Sequence, residues 1–220
     1  MLVPDLNIFF VHVPKCAGVS IELIFFERDG LKLKPHHIVK QLTPEQRAKY
    51  KHGDYLSNDP NIKLNGPAQH FTASQAKQYV EQYGDCYTFT IVRNPWDKMV
   101  SEFQWQKQIL RRNVTLKRVI QEAEVDQSKR RDANPHYMPQ WMFVYDDDNN
   151  KLVDDVFFIE DMQSVQDMLN SKFDLGVTLT KSNSTKRNHY SDYYTDDLRD
   201  KVQAMYSKDI ELFNYSYEQQ

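Results

Sequence analysis

Cysteine is scarce in this chain, which has only Cys16 and Cys86 among its 220 residues. Two cysteines cannot form the disulfide framework of a small secreted domain, and their spacing does not match a zinc site. We therefore expect a reducing compartment, with both thiols serving as small buried apolar groups rather than as reactive ones.

Long apolar runs are also lacking. No segment approaches the roughly 18 to 20 consecutive apolar residues that a transmembrane helix needs. The first residues, MLVPDLN, do not combine a basic region with an apolar one, so they do not resemble a signal peptide. These two absences predict a cytoplasmic protein without a membrane span.

An excess of positive charge is absent as well. The formal net charge is −3 and the isoelectric point is near 6.2, so the overall charge does not favour a nucleic-acid partner. Apolar residues make up 40% of the chain and charged residues 27%, which is typical of a globular protein. The length suits one sizeable core, so we predict a single domain over residues 1–220.

Strand-like and helix-like segments alternate along the chain. Residues 6–13 and 86–93 are apolar and rich in β-branched or aromatic side chains, which predicts two buried strands. Alternation with helices predicts an α/β fold with a central, mainly parallel sheet flanked by helices. The predicted helices cover 18–28, 43–50, 72–83, 95–110, 115–124, 161–170 and 195–213, and a strand pair within 141–155 precedes a third strand at 156–159.

The segment HVPKCAGVSI joins the first predicted strand to the helix after it. Such a junction directs unpaired main-chain N–H groups and the positive end of a helix dipole at one point, which favours an anion. An ATP-binding P-loop has a lysine directly before its Ser or Thr. Here Val19 stands between Gly18 and Ser20, and the lysine occurs earlier, as Lys15. A plain turn with a solvent-facing lysine stays open as the alternative.

The segment TIVRNPWDKMVSEFQW ends the second predicted strand with Arg93 and enters a helix at Pro95. Residues at the carboxyl end of a parallel strand face the ligand crevice, and arginine offers a planar donor fork for a phosphate. Ser101 lies two turns into the helix and is a second candidate. An ion pair between Arg93 and Asp97, with the serine facing water, is the alternative interpretation.

Taken together, the two segments resemble a sulfotransferase. HVPKCAGVSI resembles the 5′-phosphosulfate loop of that family, and FTIVRNPWDKMVSEF is similar to its 3′-phosphate segment. The match is closest to the carbohydrate-type sulfotransferases, including small soluble bacterial members. Two positions depart from the family pattern, because Val19 replaces a more usual Thr and Lys98 a more usual Arg. Weaker similarity continues through QHFTASQ, MPQWMF, VDDVFFIEDM and VQAMYSKDIELFNY.

The resemblance implies a P-loop-like three-layer fold and a co-substrate, 3′-phosphoadenosine 5′-phosphosulfate (PAPS), with no metal. Lys15 would stabilise the charge that develops on the leaving phosphate oxygen as the S–O bond breaks. Lys186 and Arg187 lie in a polar loop that would close over the nucleotide. The residues expected to bind the donor are Lys15, Cys16, Ala17, Gly18, Val19, Ser20, Ile21, Arg93, Ser101, Lys186 and Arg187.

Transfer to a hydroxyl also requires a base, and the resemblance favours His70. Related enzymes place a basic residue near the acceptor at this point, and the pKa of histidine lies near neutral pH. Glu160 stays open as a carboxylate alternative. His136, Tyr137 and Gln140 fall in a segment that is expected to line the pocket of the acceptor, for which the resemblance implies a carbohydrate.

Two other functions stay open at this point. A P-loop-type nucleotide kinase would use a similar crevice, but its lysine is missing and no magnesium-binding acid can be placed. A non-catalytic nucleotide-binding protein is the other alternative, although the presence of both Lys15 and His70 argues against a decayed site. The acidic run 146–148 lacks the glycine and the glutamate of a calcium loop, so we expect a solvated turn. Basic residues at 111–112 and 129–131 would suit an acidic polysaccharide or be ordinary surface charge.

Overall fold

The computed structural model describes residues 1–35, 38–50, 68–129, 133–179 and 187–218. Strands and helices alternate along these ranges, and helices flank one sheet. This confirms the predicted mixed α/β class. Within these ranges, no helix is both long enough and apolar enough to cross a membrane.

The sheet has the strand order β1-β2-β3-β4, and its last three strands are parallel. The first strand pairs with the second in the antiparallel sense. The register aligns Val11 with Thr90 and Val92 with Phe158, so the carboxyl ends of the parallel strands lie at one edge of the sheet. The strands are β1 (Leu2–Val3), β2 (Ile8–Val11), β3 (Tyr87–Val92) and β4 (Asp155–Phe158).

The α-helices lie between and after these strands. Their bounds are α1 (Gly18–Arg28), α2 (Ile38–Gln41), α3 (Pro44–Tyr50), α4 (Ala73–Tyr79), α5 (Pro95–Gln108), α6 (Leu116–Gln127), α7 (Trp141–Val144), α8 (Met162–Phe173), α9 (Asp196–Met205) and α10 (Ser207–Leu212). Short 3-10 helices cover Pro4–Leu6, Ala68–His70, Glu81–Asp85, Ile159–Asp161 and Tyr190–Tyr193.

Helix starts follow local capping signals. The hydroxyl of Thr72 accepts a hydrogen bond of 3.2 Å from the main-chain amide of Gln75. In return, Oε1 of Gln75 accepts one of 2.9 Å from the main-chain amide of Thr72. The side chain of Asn94 caps α5 by accepting from the main-chain amides of Trp96 and Asp97, with Pro95 in the first turn. Helix α1 has the predicted bounds. These starts could be predicted because a cap needs only residues that are close in sequence.

The prediction of a strand at the beginning of 141–155 was wrong, because residues 141–144 form α7. Of the predicted strand pair, the described residues form a single β-bridge, between Tyr145 and Lys151. The buried carboxylate of Asp209 accepts main-chain hydrogen bonds of 2.8 Å from Gln140 and from the residue after it. It thereby satisfies amides at the start of a helical turn, as a capping residue would.

The single helix predicted over 195–213 is two helices in the structure. Tyr206 separates α9 from α10, with φ −114° and ψ 25°. Its ring is 1% exposed, and its hydroxyl donates a hydrogen bond of 2.9 Å to the carbonyl of Tyr137. The chain therefore leaves the helical path where a buried tyrosine bonds to a distant segment.

The apolar core has two clusters of buried side chains. One surrounds the sheet and includes Phe10, Phe25 and Phe89. The other lies among α5, α6 and α9 and includes Trp96 and Val202. Helix α5 follows β3 directly and packs against the second cluster, so its first two turns lie beside the edge where the parallel strands end.

Candidate functional site

The turn between β2 and α1 has a strained main chain. Lys15 has φ 67° and Ala17 has φ 60°, both in the left-handed region. That conformation costs a residue with a side chain roughly 1–2 kcal/mol. Strain of this kind is concentrated at functional sites, where the surrounding structure maintains it.

Amide groups at the start of α1 lie where the sequence predicts an anion to bind. The amides of Ser20 and Ile21 donate to the carbonyl of Ala17, at 2.9 and 3.2 Å, and so begin the helical bonding. The amides of Gly18 and Val19 precede these bonds and lie at the positive end of the helix dipole. An anion at this end of α1 would meet N–H donors and a favourable potential.

Gly18 is required here by the close approach of a side chain. A Cβ at this position would lie 1.9 Å from Nε2 of His12. The His12 ring is itself fixed, because Nδ1 and Oε1 of Glu22 are 2.8 Å apart and both residues are buried. The glycine therefore lets the start of α1 lie directly against an immobile imidazole.

Lys15 does not face open solvent, so that alternative is wrong. The side chain is half-buried, and its ammonium lies 5.0 Å from the centre of the Trp105 ring. Burial lowers the pKa of Lys15 from 10.5 to about 8, although the nearby charge of Glu102 raises it. A half-buried ammonium of this kind would interact strongly with a bound anion because little water screens it.

The remaining side chains of the loop face inward. Cys16 is fully buried, and its thiol donates a hydrogen bond of 3.3 Å to Oε1 of Gln140. Burial raises the pKa of the Cys16 thiol to about 12, so the group is unreactive. Ile21 is fully buried in the core, and Val19 packs partly against it. These three residues could meet a ligand through the main chain alone.

Arg93 connects the two predicted segments. Its Nη1 donates a hydrogen bond of 2.9 Å to the carbonyl of Lys15, and its Nε donates one of 2.7 Å to Asp97. The ion pair with Asp97 that the sequence left open is therefore present. At the same time, the guanidinium group of Arg93 lies against the loop that carries Lys15.

A second arginine contacts the same carboxylate. Arg187 donates a hydrogen bond to the other oxygen of Asp97, and its own Nη1 is buried without a hydrogen-bond partner among the described residues. Burial alone would raise the pKa of Asp97, but the two guanidinium groups hold it below its usual value. Lys186, which was predicted to act with Arg187, lies outside the described residues.

Ser101 lies between these two groups of side chains. Residues four apart share one face of a helix, so Asp97, Ser101 and Trp105 follow one stripe of α5. The serine is half-buried, and its hydroxyl makes no hydrogen bond to the residues that the structure describes. The helix therefore carries it between the paired arginines and the lysine of the loop.

His70 belongs to a group of three imidazoles. Its ring centre lies 4.6 Å from that of His12 and 5.5 Å from that of His136, with an edge-on geometry in both cases. Its Nδ1 is 3.2 Å from the carbonyl of His12. Burial and the neighbouring imidazoles lower the pKa of His70 well below 6.5, so this ring is neutral at physiological pH.

The third imidazole forms a pair that the sequence analysis did not predict. Nδ1 of His136 lies 2.7 Å from Oε2 of Glu102, and the His136 ring stacks on Trp105 with centres 4.9 Å apart. Burial alone would raise the pKa of Glu102, but the hydrogen bond from His136 and the charge of Lys15 keep it below its usual value. The signal that could have indicated Glu102 was its position in the sequence. It falls four residues after Lys98, on the buried face of α5.

Gln140 does not line a pocket as expected. It is fully buried, its Oε1 accepts a hydrogen bond of 2.9 Å from the Arg93 amide, and its Nε2 donates one of 2.7 Å to the Arg93 carbonyl. Tyr137 is also buried, and its hydroxyl accepts a hydrogen bond from Gln106. Gln140 therefore fixes the end of β3, where Arg93 leaves the sheet.

Two further charged residues support the main chain around the site. Glu160 was the carboxylate alternative for the base. It accepts hydrogen bonds from the main-chain amide of Asn94, at 2.9 Å, and from the Tyr215 hydroxyl, at 3.1 Å. Lys98 is buried and donates a hydrogen bond of 2.9 Å to the carbonyl of His136. The first fixes the start of α5, and the second fixes the segment that carries the third imidazole.

Two members of the predicted basic runs form surface ion pairs. Arg112 lies 3.0 Å from Glu122, and Lys129 lies 2.5 Å from Asp126. Residues 130–131 of the predicted basic run lie outside the described residues. Across the ranges that are described, no group of three or more His, Cys, Asp or Glu side chains is arranged to hold a metal ion.

Comparison with known proteins identifies the family of the chain. The model of the sulfotransferase family matches residues 1–155, which include the loop of Lys15, the segment of Arg93 and all three imidazoles. No curated protein and no solved structure gives a significant match. The matched span covers more than half of the 220 residues and confirms the resemblance of the two motifs. The chain belongs to the sulfotransferase family.

Proposed function

We propose that this chain is a PAPS-dependent sulfotransferase that transfers a sulfuryl group to a hydroxyl of a carbohydrate. The observation that carries the proposal is the bond between Arg93 and the Lys15 carbonyl, because it joins the two motifs of the family into one site. In this proposal, residues 1–220 form one domain with a P-loop-like three-layer fold.

The loop and the start of α1 hold the 5′-phosphosulfate of the donor. The amides of Gly18 and Val19 bind its oxygens, together with Ser20. Lys15 neutralises the charge that remains on the phosphate when the S–O bond breaks. Its burial supports this role, because an ammonium shielded from water interacts more strongly with a developing charge.

The 3′-phosphate occupies the region of Arg93, Ser101 and Arg187, and Lys186, which precedes Arg187 in the chain, is proposed to bind it as well. Two guanidinium groups already converge there on the carboxylate of Asp97. The buried Nη1 of Arg187 lacks a partner among the described residues, and an unsatisfied buried donor normally finds one. A phosphate oxygen would satisfy it, and the arginines would then share their charge between the phosphate and Asp97.

The acceptor hydroxyl approaches beside the three imidazoles, on the side of the loop where His70 was predicted to act. Direct transfer to the bound acceptor needs no covalent enzyme intermediate. The chain supplies positioning, a proton acceptor and positive charge at the leaving oxygen. A carbohydrate is the proposed acceptor class because the two motifs most resemble those of carbohydrate-type sulfotransferases.

The proposal is tested by incubating the chain with ³⁵S-labelled PAPS and a panel of neutral and desulfated polysaccharides. Labelled polysaccharide is the expected product. Replacing Lys15 with Ala should lower the turnover number about 10²–10³-fold, as loss of one group that stabilises a developing oxyanion does. Lys77→Ala, at an exposed position on α4, is the matched control and should keep full turnover. Equal turnover in the wild type and Lys15→Ala would contradict the proposal.

A further inference from the structure

A buried carboxylate orients one imidazole of the site. Glu102 and His136 form a hydrogen bond of 2.7 Å, and their side chains are 3% and 20% exposed. An ionised carboxylate can only accept, so Nδ1 of His136 carries the ring proton when the imidazole is neutral. Nε2 is then a bare nitrogen with a lone pair.

The surroundings of His136 keep this nitrogen in a fixed place. The ring stacks on Trp105 with an interplanar angle of 28°, and the carbonyl of His136 accepts a hydrogen bond from the buried Lys98. Nε2 makes no hydrogen bond to any residue in the described part of the chain, and part of the side chain remains exposed. It is therefore a positioned hydrogen-bond acceptor that a ligand can reach.

His70 offers a less suitable nitrogen. Its Nδ1 donates to the carbonyl of His12, and its Nε2 lies 3.1 Å from Nε2 of Gln69. The ring is neutral because burial and the neighbouring imidazoles lower its pKa, so its Nε2 accepts from the Gln69 amide. Both nitrogens are thus occupied. An acceptor hydroxyl would have to displace Gln69 before it could reach this ring.

We propose that His136 is the catalytic base of the transfer and that Glu102 is its positioning residue. The proposal rests on the proposed function. His136 Nε2 takes the hydroxyl proton as the acceptor oxygen forms its bond to sulfur. Lys15 stabilises the electron pair that the breaking S–O bond leaves on the phosphate oxygen. His136 afterwards releases the proton to water, so the step needs no oxidant or reductant.

Lys15 contacts the same indole as the proposed base. Its ammonium lies 5.0 Å from the centre of the Trp105 ring, and His136 stacks on that ring. Lys15, which stabilises the leaving oxygen, and His136, which takes the proton of the attacking oxygen, therefore both contact the ring of Trp105. Such an arrangement suits an in-line transfer, in which both oxygens must be positioned about one sulfur atom.

Gln106 fixes the orientation that a carboxamide at position 102 would adopt, and this allows a direct test of the proposal. Its Nε2 donates hydrogen bonds of 2.8 Å to Oε1 of Glu102 and to the hydroxyl of Tyr137. In Glu102→Gln, the new carboxamide must keep its oxygen toward Gln106, so its NH₂ group faces Nδ1 of His136. The imidazole would then accept at Nδ1 and carry its proton on Nε2, which is the wrong tautomer for a base.

The first measurement is the ¹⁵N spectrum of the imidazoles in the full chain, assigned by comparison with His136→Gln. We expect neutral His136 to have a protonated Nδ1 and a bare Nε2 in the wild type, and the reverse in Glu102→Gln. Glu124→Gln, at an exposed position on α6, should leave the spectrum unchanged. A protonated Nε2 in the neutral wild-type ring would overturn the proposal without reference to any acceptor.

The second measurement is release of 3′-phosphoadenosine 5′-phosphate from PAPS, with water or a polysaccharide as the acceptor. His136→Gln and Glu102→Gln should each lower this rate by about 10²–10⁴-fold, the usual effect of losing a general base. Glu102→Asp should recover part of the loss because it restores a carboxylate. A full rate in His136→Gln together with loss in His70→Gln would assign the base to His70 instead.

Binding of the product nucleotide separates this proposal from the proposed function. His136→Gln should bind 3′-phosphoadenosine 5′-phosphate as tightly as the wild type, since the imidazole does not hold the donor. If the wild type fails to bind it, the proposed function is wrong. If the wild type binds it and the imidazole spectrum shows the opposite tautomer, only the assignment of the base is wrong.

Discussion

Arg93 Nη1 and the carbonyl oxygen of Lys15 are 2.9 Å apart, although the two residues are separated by 78 positions in the chain. Strands β2 and β3 are parallel neighbours, so the segments that follow them leave the sheet at one edge. The guanidinium group bonds there to the strained turn that precedes α1. A change at Arg93 is therefore expected to affect the main chain of this turn as well as the proposed binding position of the 3′-phosphate.

Gly18 should be intolerant of even a small side chain. Gly18→Ala would place a Cβ 1.9 Å from Nε2 of a His12 ring that Glu22 fixes. We expect a loss of about 1–3 kcal/mol in the free energy of unfolding, which is typical of overpacking. This is opposite in sign to the usual gain from replacing glycine by alanine in a helix. Urea unfolding of the wild type and the variant measures the difference.

Removal of the imidazole provides the control for this substitution. In the background of His12→Ala, the methyl group of Gly18→Ala no longer meets the imidazole ring and should cost much less. The two changes should therefore be non-additive by about 0.5–3 kcal/mol, as is found for residues in contact. Additive losses would show that the ring of His12 does not restrict position 18.

The charge of Lys15 should make nucleotide affinity depend on pH above neutrality. The pKa of Lys15 is lowered to about 8 in the folded chain, so the ammonium is charged below that pH and neutral above it. Affinity for 3′-phosphoadenosine 5′-phosphate should therefore fall as the pH rises through 8, by up to about tenfold per pH unit. Calorimetric titrations between pH 6.5 and 9.5 would record the decline.

Lys15→Arg isolates this titration. An arginine side chain keeps its charge throughout the range, so the affinity of the variant should be nearly constant between pH 6.5 and 9.5. The wild type should also take up a proton on binding near pH 8, which titration in two buffers of different ionisation enthalpy detects. Parallel pH profiles in the two proteins would assign the titration to another group.

Asp209 should be a strong stabilising residue, although it is not among the residues proposed to bind the ligand. Its carboxylate is fully buried and accepts hydrogen bonds of 2.8 Å from the amides of Gln140 and Trp141. Asp209→Asn would turn an NH₂ group toward one of these amides and leave that donor unsatisfied. We expect a loss of about 1.5–3 kcal/mol in unfolding free energy at pH 7. Asp200→Asn, at an exposed position, should change it little. Equal stability in both variants would contradict this role.

The parts of the fold that could be predicted depend on neighbouring residues. Thr72 with Gln75, and Asn94 with Pro95, mark helix starts that the structure confirms. The buried strands β2 and β3 could also be predicted, because apolar residues face both sides of a parallel strand. Each of these signals lies within a few residues of the element that it starts or forms.

The errors occur where a distant residue decides the local conformation. Residues 141–144 are apolar enough for a strand, but the carboxylate of Asp209 caps them as a helix. The break at Tyr206 likewise accompanies a hydrogen bond to Tyr137, which lies 69 positions away. Neither contact could be inferred from residue spacing in one sequence.

The same division applies to the site. Lys15 and Arg93 could be identified because they belong to short motifs at the ends of strands. The pair of Glu102 and His136 could not, since it joins residues 34 positions apart and depends on how the segment after α6 folds back onto α5. Gln140 was assigned to the pocket, and its buried bonds to Arg93 emerge only from the tertiary structure.

The most direct test of the central claim is a calorimetric titration with 3′-phosphoadenosine 5′-phosphate, run beside ATP with magnesium. We predict clear binding of the bisphosphate, weaker binding of ATP, and a loss of about 10- to 100-fold in Arg93→Ala, which removes charge-assisted hydrogen bonds. Arg118→Ala, at an exposed position on α6, should bind like the wild type. Tighter binding of ATP with magnesium, or no binding of the bisphosphate, would contradict the account.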